Sequence, residues 1–412
     1  MAKNFADIYN DTSDSIALEQ KFFIKEEVTR GTFVAPVGAD FIYSLSGGMI
    51  NFTRPIESSP HRSGRHHTTP IKKKTSTEWT IPTFFNVDET LGAAAAAEID
   101  PGMRVLHKSM YGKEDNAAGA EFTTAIVPNI TFTLLENGDK WALQAVGAFV
   151  ESANHQFPGD GEAQTEWGGM AKTAVLIGVG KTTAANNATN TITVEAGEGQ
   201  RYLVGGQIML VEADGLTRSA DTPDGSPRKI LSIAGDILTV DGAVLADADG
   251  SIADIYVTYY EPENPVAINN PLVGLVGSVT IAGFTSLDCV RSATINATNN
   301  HELQDNCFGE TGLGGSLFIP GGRFTAEVSL EINLNETMVE LINKIRDDLT
   351  GEDIALILGD VAGRHLELDI DKVIFSVPEV SVPDTGPIPI TLTGNAYQSA
   401  IDQADEISVH YK

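Results

Sequence analysis

The stretch "TFFNVDETL" at residues 83–91 returns in altered form as "LEINLNETM" at 330–338, and this internal echo constrains the chain more than any other feature. Asn86/Asn333, Glu89/Glu336 and Thr90/Thr337 are identical, while Phe85/Ile332, Val87/Leu334 and Leu91/Met338 keep their apolar character. The spacing is 247 residues. A second block follows at a spacing of 225, where Gly138/Gly363, Trp141/Leu366, Leu143/Leu368, Pro158/Pro383, Gly161/Gly386 and Gly169/Gly394 align without gaps. Two collinear blocks separated by one change of length are what duplication and drift leave behind. Chance likeness between β segments is the rival reading. The difference of 22 residues falls after the first helix, within "YGKEDNAAGAEFTTAIVPNITF".

Local patterning says what each copy builds. In residues 324–334, Phe324, Ala326, Val328, Leu330, Ile332 and Leu334 point one way, and Thr325, Glu327, Ser329, Glu331 and Asn333 the other. That is a strand with one buried face and one wet, acidic face. Asn335 then suits a helix cap, with Met338, Leu341, Ile342, Ile345 and Leu349 at helical spacing until Gly351. At 1.5 Å per residue such a helix is only about 20 Å long. In the earlier copy Asp88 takes the cap position and "ETLGAAAAAEI" supplies the helix. Later, Leu366, Leu368 and Ile370 alternate with Glu367, Asp369 and Asp371, followed past a Pro/Gly loop by Ile388, Ile390 and Leu392.

Between the copies lies a different pattern of short strands and explicit turns, as in "IMLVEADGLTR" and "KILSIAGDILTV". The expected fold is mainly β: two tandem β-sandwich or barrel repeats, each with a short helix, plus an inserted small β domain. The expected boundaries are an N-terminal arm at 1–39, repeat 1 at 40–171, the insertion at 172–262 and repeat 2 at 263–412. The arm is a candidate for locking neighbouring molecules together.

Composition removes several function classes. Acidic residues outnumber basic ones 56 to 27, a net charge of −29, which argues against tight nucleic-acid binding, since that needs phosphates neutralised by Lys and Arg. Two cysteines, Cys289 and Cys307, are too few for a disulfide framework and lack zinc spacing. The opening "MAKNFADIYNDTSD" has no apolar core of a signal peptide, so synthesis in a cytoplasm is expected. The longest uncharged run, "NPVAINNPLVGLVGSVTIAGFTSL", suits strands and turns better than a bilayer helix.

Motifs for chemistry are weak. "IGVGKTT" imitates the end of a phosphate loop, but Val175 stands where the motif needs its first glycine and a strand-like segment follows. "DADGSIAD" lacks the remainder of a calcium loop. The three histidines of "HRSGRHH" have poor metal spacing. No GxSxG, HExxH or paired Cys/His arrangement appears. No catalytic residue, metal ligand or cofactor site is therefore assigned, and an enzyme is not expected. The one basic island, residues 54–74, holds Arg62, Arg65, His66, His67, Lys72, Lys73 and Lys74. It reads as a solvated loop, a nucleic-acid site or a contact with an acidic neighbouring copy, and charge complementarity favours the last.

The segment "RPIESSPHRSGRHHTTPIKKKTSTEWTIPTFFNVDETL", a basic loop running into an alternating strand, and the hairpin "GDKWALQAVGAFVESANHQFP" resemble the major tail tube proteins of long-tailed bacteriophages. The resemblance covers both repeats but not the insertion. It implies a structural virion protein, assembled in the host cytoplasm, whose copies close a barrel around the tail lumen in stacked rings. Some members of that family carry two copies of the fold and build a pseudo-hexameric ring from three chains; six chains is the other possibility. Implied partners are the chain itself, the tail tip or baseplate, terminator and tape-measure proteins, and double-stranded DNA in transit without specific binding. Glu327, Glu331, Glu367, Asp369 and Asp371 would line the lumen, and Arg62, Arg65, His66, His67 and Lys72 to Lys74 would contact the adjacent subunit or ring. The first copy carries Thr80 and Phe84 where the second has Glu327 and Glu331, which interrupts an acidic wall. The alternative from another class is a glycan-binding β-sandwich adhesin or other virion surface protein.

Overall fold

A computed structural model describes residues 5–11, 13, 20–53, 56–58, 70–72, 76–86, 99–115, 120–125, 130–212, 226–244, 255–262, 271–274, 277–281, 284, 290–304, 317–320, 322–347, 350–359, 365–401 and 403–411. The chain is mainly β, with antiparallel pairing throughout the described ladders. It divides into two compact units. One comprises Met1–Phe41, Thr133–Gly147 and Thr173–Pro265; the other comprises Ile42–Phe132, Ala148–Lys172 and Val266–Lys412.

The first unit contains a closed six-stranded barrel. Its strands pair in the circular order Gly180–Asn186, Thr191–Val194, Ile237–Val240, Arg228–Ala234, Gln207–Glu212 and Ile255–Tyr259. Closure leaves the barrel no open edge, and its interior is filled by Ile192, Val194, Ile208, Leu210, Ile230, Leu238 and Val257. Tyr202 is buried there and donates its hydroxyl to the Val257 carbonyl at 2.9 Å. Residues 21–26, within the expected N-terminal arm, form a strand with Phe22, Phe23 and Ile24 fully buried.

The second unit holds most of two matching series of elements. The first series is β1 (Met49–Thr53), β2 (Ile56–Ser58), β3 (Pro70–Lys72), β4 (Ser76–Phe84), α1 (Pro101–Tyr111), β5 (Phe132–Asn137), β6 (Ala142–Pro158) and β7 (Gln164–Ala171). The second is β8 (Val290–Thr298), β9 (His301–Gln304), β10 (Leu317–Pro320), β11 (Thr325–Asn333), α2 (Glu336–Asp347), β12 (Glu352–Leu358), β13 (Leu366–Phe375) and β14 (Pro389–Ala396). β2 pairs with β3, and β9 with β10. β1 pairs with β4, β4 with β7 and β7 with β6; β8 pairs with β11, β11 with β14 and β14 with β13. The two short strands Gly112–Asp115 and Ala120–Thr124 follow α1 and have no counterpart after α2 among the described residues. They lie where the sequence carries its 22 extra residues.

The helices begin and end where side-chain chemistry requires. Asn335 Oδ1 accepts the Met338 N–H at 2.9 Å, and Met338, Leu341 and Ile345 are buried. Gly351 then adopts φ +85°, a left-handed conformation that suits glycine. In the first series the expected cap, Asp88, and residues 87–98 lie outside the described residues. The helix described in that interval starts at Pro101, whose missing N–H is harmless in a first turn. It buries Met103, Leu106, His107, Met110 and Tyr111 and stops at Gly112, φ 91°.

Candidate functional site

The two series join edge to edge. Residues 152–158 of β6 pair with 292–298 of β8, Ser152 opposite Thr298 and Pro158 opposite Ser292. The result is one sheet in the order β1, β4, β7, β6, β8, β11, β14, β13. One face is apolar: Trp79, Ile81, Trp167, Phe157, Ile295, Val328, Leu330, Ile390 and Leu392 are all nearly or wholly buried.

The opposite face is the candidate site. Transverse rows of polar side chains cross it, because partners in an antiparallel ladder share a face. One row runs Glu166, Asn154, Asn296, Glu327 and Asn395, and ends at the apolar Ile374. Another runs Gln164, Gln156, Thr294, Ser329 and Thr393. Glu78, Glu166, Glu327 and Glu331 lie on this face, and none of the paired positions in these rows is Lys or Arg. Arg291, at the bulge within β8, reaches Glu331 at 3.3 Å and offsets part of that charge.

Pairing register gives a correspondence of its own between the two series. Glu327 stands opposite Asn395, which stands opposite Ile374. In the first series Glu78 stands opposite Met170, and Met170 opposite Phe149. Met170 and Phe149 precede Asn395 and Ile374 by 225 residues, so Glu78, not Thr80, is the counterpart of Glu327. Asn51 opposite Glu78 likewise matches Asn296 opposite Glu327. The sequence comparison missed Glu78 because the alignment and the ladder differ by two residues along β4, which preserves the face but changes the partner.

Among the expected lumen residues, Glu327 and Glu331 share this face. Glu367 and Asp369 do not join its rows. They sit on the first half of β13, opposite Ile357 and Ala355 of β12 and opposite His410 and Ser408 of the last strand. β14 meets only Val373–Phe375 of β13, beyond a bulge across which the buried positions run Leu366, Leu368, Ile370, then Val373 and Phe375. Asp371 falls at the bulge, its carboxyl raised above the usual range by partial desolvation and by Asp405 and Asp353 nearby. Of the expected contact residues, Arg62, Arg65, His66, His67, Lys73 and Lys74 lie outside the described residues, as do Cys289 and Cys307. Lys72 ends β3.

Under the apolar face lies a cluster of aromatic and imidazole rings. His155 accepts or donates through both nitrogens, to Tyr111 Oη at 2.6 Å and Thr165 Oγ1 at 2.8 Å, and His107 Nε2 meets Tyr411 Oη at 2.7 Å. Trp167 donates to Thr83 at 2.9 Å. Burial pushes His155 down to about 3 and holds His107 well below its ordinary value, so both are neutral at physiological pH. Sealed in the core with every ring in van der Waals company, these groups act as structural polar contacts. Among the described residues no group of three His, Cys, Asp or Glu side chains is placed to hold a metal ion, and no helix is long and apolar enough to cross a membrane.

The phosphate-loop imitation resolves as packing. Gly180 and Lys181 open a barrel strand, and a Cβ on Gly180 would come within 2.5 Å of the Tyr202 hydroxyl. No protein-family model matches the chain. A comparison with curated proteins also finds no match.

Proposed function

We propose that the chain is the structural subunit of a bacteriophage tail tube, and that its two series are copies of one ancestral sheet unit. The observation that carries this reading is the edge-to-edge union of two sheets with the same pairing order, presenting one polar face on which the unpaired charges are acidic. A sheet that can extend by adding an equivalent sheet through β6 and β8 can extend again through a further molecule. Repetition around an axis then removes the edges that a lone sheet would leave exposed. Three chains with two units each, or six chains, complete the ring, and rings stack.

The polar face lines the bore in this reading. Its carboxylates repel DNA phosphates at the wall, and screening limits that repulsion to about 8 Å at physiological salt. Passage without adhesion is what a conduit needs. Electron microscopy of the purified chain tests the proposal: rings or stacked tubes are expected, and mass measurement of a single ring distinguishes three chains from six. A protein that stays monomeric at high concentration, with no rings or tubes, overturns it.

A further inference from the structure

A cavity of about 300 Å³ opens where β11, β14 and β13 lie side by side, and its lining includes Glu327, Ile374, Ser376, Thr393, Asn395 and Tyr397. That volume sits at the lower end of small-molecule sites, which run roughly from 300 to 1,000 Å³. The ladder brings these residues together: Glu327 stands opposite Asn395, and Asn395 opposite Ile374. One wall is already satisfied, since the Ser376 hydroxyl donates to the Thr393 carbonyl at 3.0 Å and meets the Thr393 hydroxyl at 2.9 Å. Glu327 is different. Among the described residues it makes no ion pair, whereas Glu331 on the same strand is met by Arg291 at 3.3 Å, and no Lys or Arg lines the cavity. Tyr397 adds an aromatic ring and is 46% exposed. The first series does not repeat this arrangement. Phe149, Gly168, Met170 and Lys172 stand 225 residues before Ile374, Thr393, Asn395 and Tyr397. Glu78 therefore faces the apolar Met170, and a lysine holds the place of the tyrosine.

We infer that this cavity binds a guanidinium group carried on a short alkyl stem. The Glu327 carboxylate accepts two parallel N–H bonds from the planar cation, the Asn395 side-chain carbonyl accepts a further one, the Tyr397 ring supplies a face for stacking, and Ile374 lies beside the stem. A guanidinium uses a carboxylate and an aromatic ring together better than an ammonium does. An anion has no cation here to meet. A hard metal ion takes six or more oxygen ligands, and Glu327 is the single carboxylate in the lining. A neutral sugar leaves the charge of Glu327 unanswered. The inference goes beyond the tube reading and stands without it. A free guanidine and an arginine side chain of another polypeptide share this chemistry.

Calorimetric titration of the full chain with butylguanidinium at low salt tests the site. Saturable binding at one site per chain is expected, weakened at least about fivefold by Glu327→Gln and about threefold by Tyr397→Ala. Glu331→Gln and Glu78→Gln are expected to leave it unchanged. Glu327 and Tyr397 are exposed, so both variants are expected to melt with the parent, which separates loss of the site from loss of the fold. Acetyl-arginine methylamide distinguishes the sources: binding tighter than that of butylguanidinium supports an arginine of another polypeptide, and weaker binding supports a free guanidine. Absence of saturable binding, undiminished binding to Glu327→Gln, or butylammonium or glucose binding as tightly as butylguanidinium overturns the inference. Binding by a chain that forms no rings upholds it while the tube reading falls.

Discussion

The carboxylate of Glu151 receives the backbone N–H of His301 on both oxygens, at 2.9 and 3.0 Å. This contact sits at the mouth of the junction between the two series, one residue before β6 begins to pair with β8. Asn299 completes the tie, giving its N–H to the Glu151 carbonyl at 2.8 Å and its side-chain amide to the Val150 carbonyl at 3.0 Å. Asn300 between them adopts φ 52°, a conformation in which asparagine is among the tolerated residues. The turn leaving β8 thus clamps the strand that enters the junction.

Glu151 is expected to titrate near neutrality. Desolvation pushes its carboxyl up to about 7, against the opposing effect of the His301 and Asn300 amides. A raised carboxyl means that the folded chain holds a proton that the unfolded chain has released between about pH 4.5 and 7. Its contribution to stability is therefore lost as pH rises through that window and is constant above it. Denaturant melts of Glu151→Gln against the parent at pH 5 and pH 8 measure this: the variant is expected to lack that part of the pH dependence.

The buried imidazoles act with the opposite sign. In the unfolded chain His107 and His155 gain protons near pH 6.5, but in the fold they resist until far lower, about 3 for His155. Below 6.5 the unfolded chain binds more protons, so each histidine costs stability as pH falls, at about 1.4 kcal/mol per pH unit. His155→Gln is expected to shallow that slope, and melts between pH 7.5 and 5 check it.

Two matched glycines make a further test. A Cβ on Gly169 would collide with the Phe149 carbonyl and the Trp79 ring, and one on Gly394 would lie 2.8 Å from the Ile374 carbonyl and the Phe375 ring. Gly169→Ala and Gly394→Ala are each expected to destabilise the second unit by about 1–3 kcal/mol. Equal stability in either variant, by thermal or denaturant melting, contradicts the close packing.

On the proposed tube function, reversing charge on the polar face separates assembly from conduction. Glu78→Lys, Glu166→Lys and Glu327→Lys together change no buried apolar contact, so tubes are expected to form. DNA release from particles built with them is expected to slow, with a dependence on salt that the parent lacks. Release at the parental rate counts against an electrostatic role for this wall.

Much of the scaffold was legible because the relevant signals are local. The alternation in residues 324–334 appears as β11, and the Asn335 cap and Gly351 stop bound α2 as expected. The Gly235–Asp236 turn joins two strands of a barrel whose closure no single segment announces. α1 was not anticipated, although Asp100 and Pro101 mark its start and Met103, Leu106 and Met110 fall at helical spacing; the helix expected over the alanine run lies outside the described residues. For the polar face, Glu327 and Glu331 could be read from one strand alone. Glu78 and Glu166 could not, because their place on it depends on Met170 and Pro82 in other strands, and Glu367 and Asp369 leave its rows because β13 changes partner along its length, which alternation does not reveal.

The two-residue offset between sequence likeness and ladder position has a consequence for how such a molecule can change. Sliding by an even count keeps water-loving and oily sides in place, whereas an odd slip would turn the strand inside out. A shift in steps of two can therefore change which neighbours touch across the sheet while the same side stays buried.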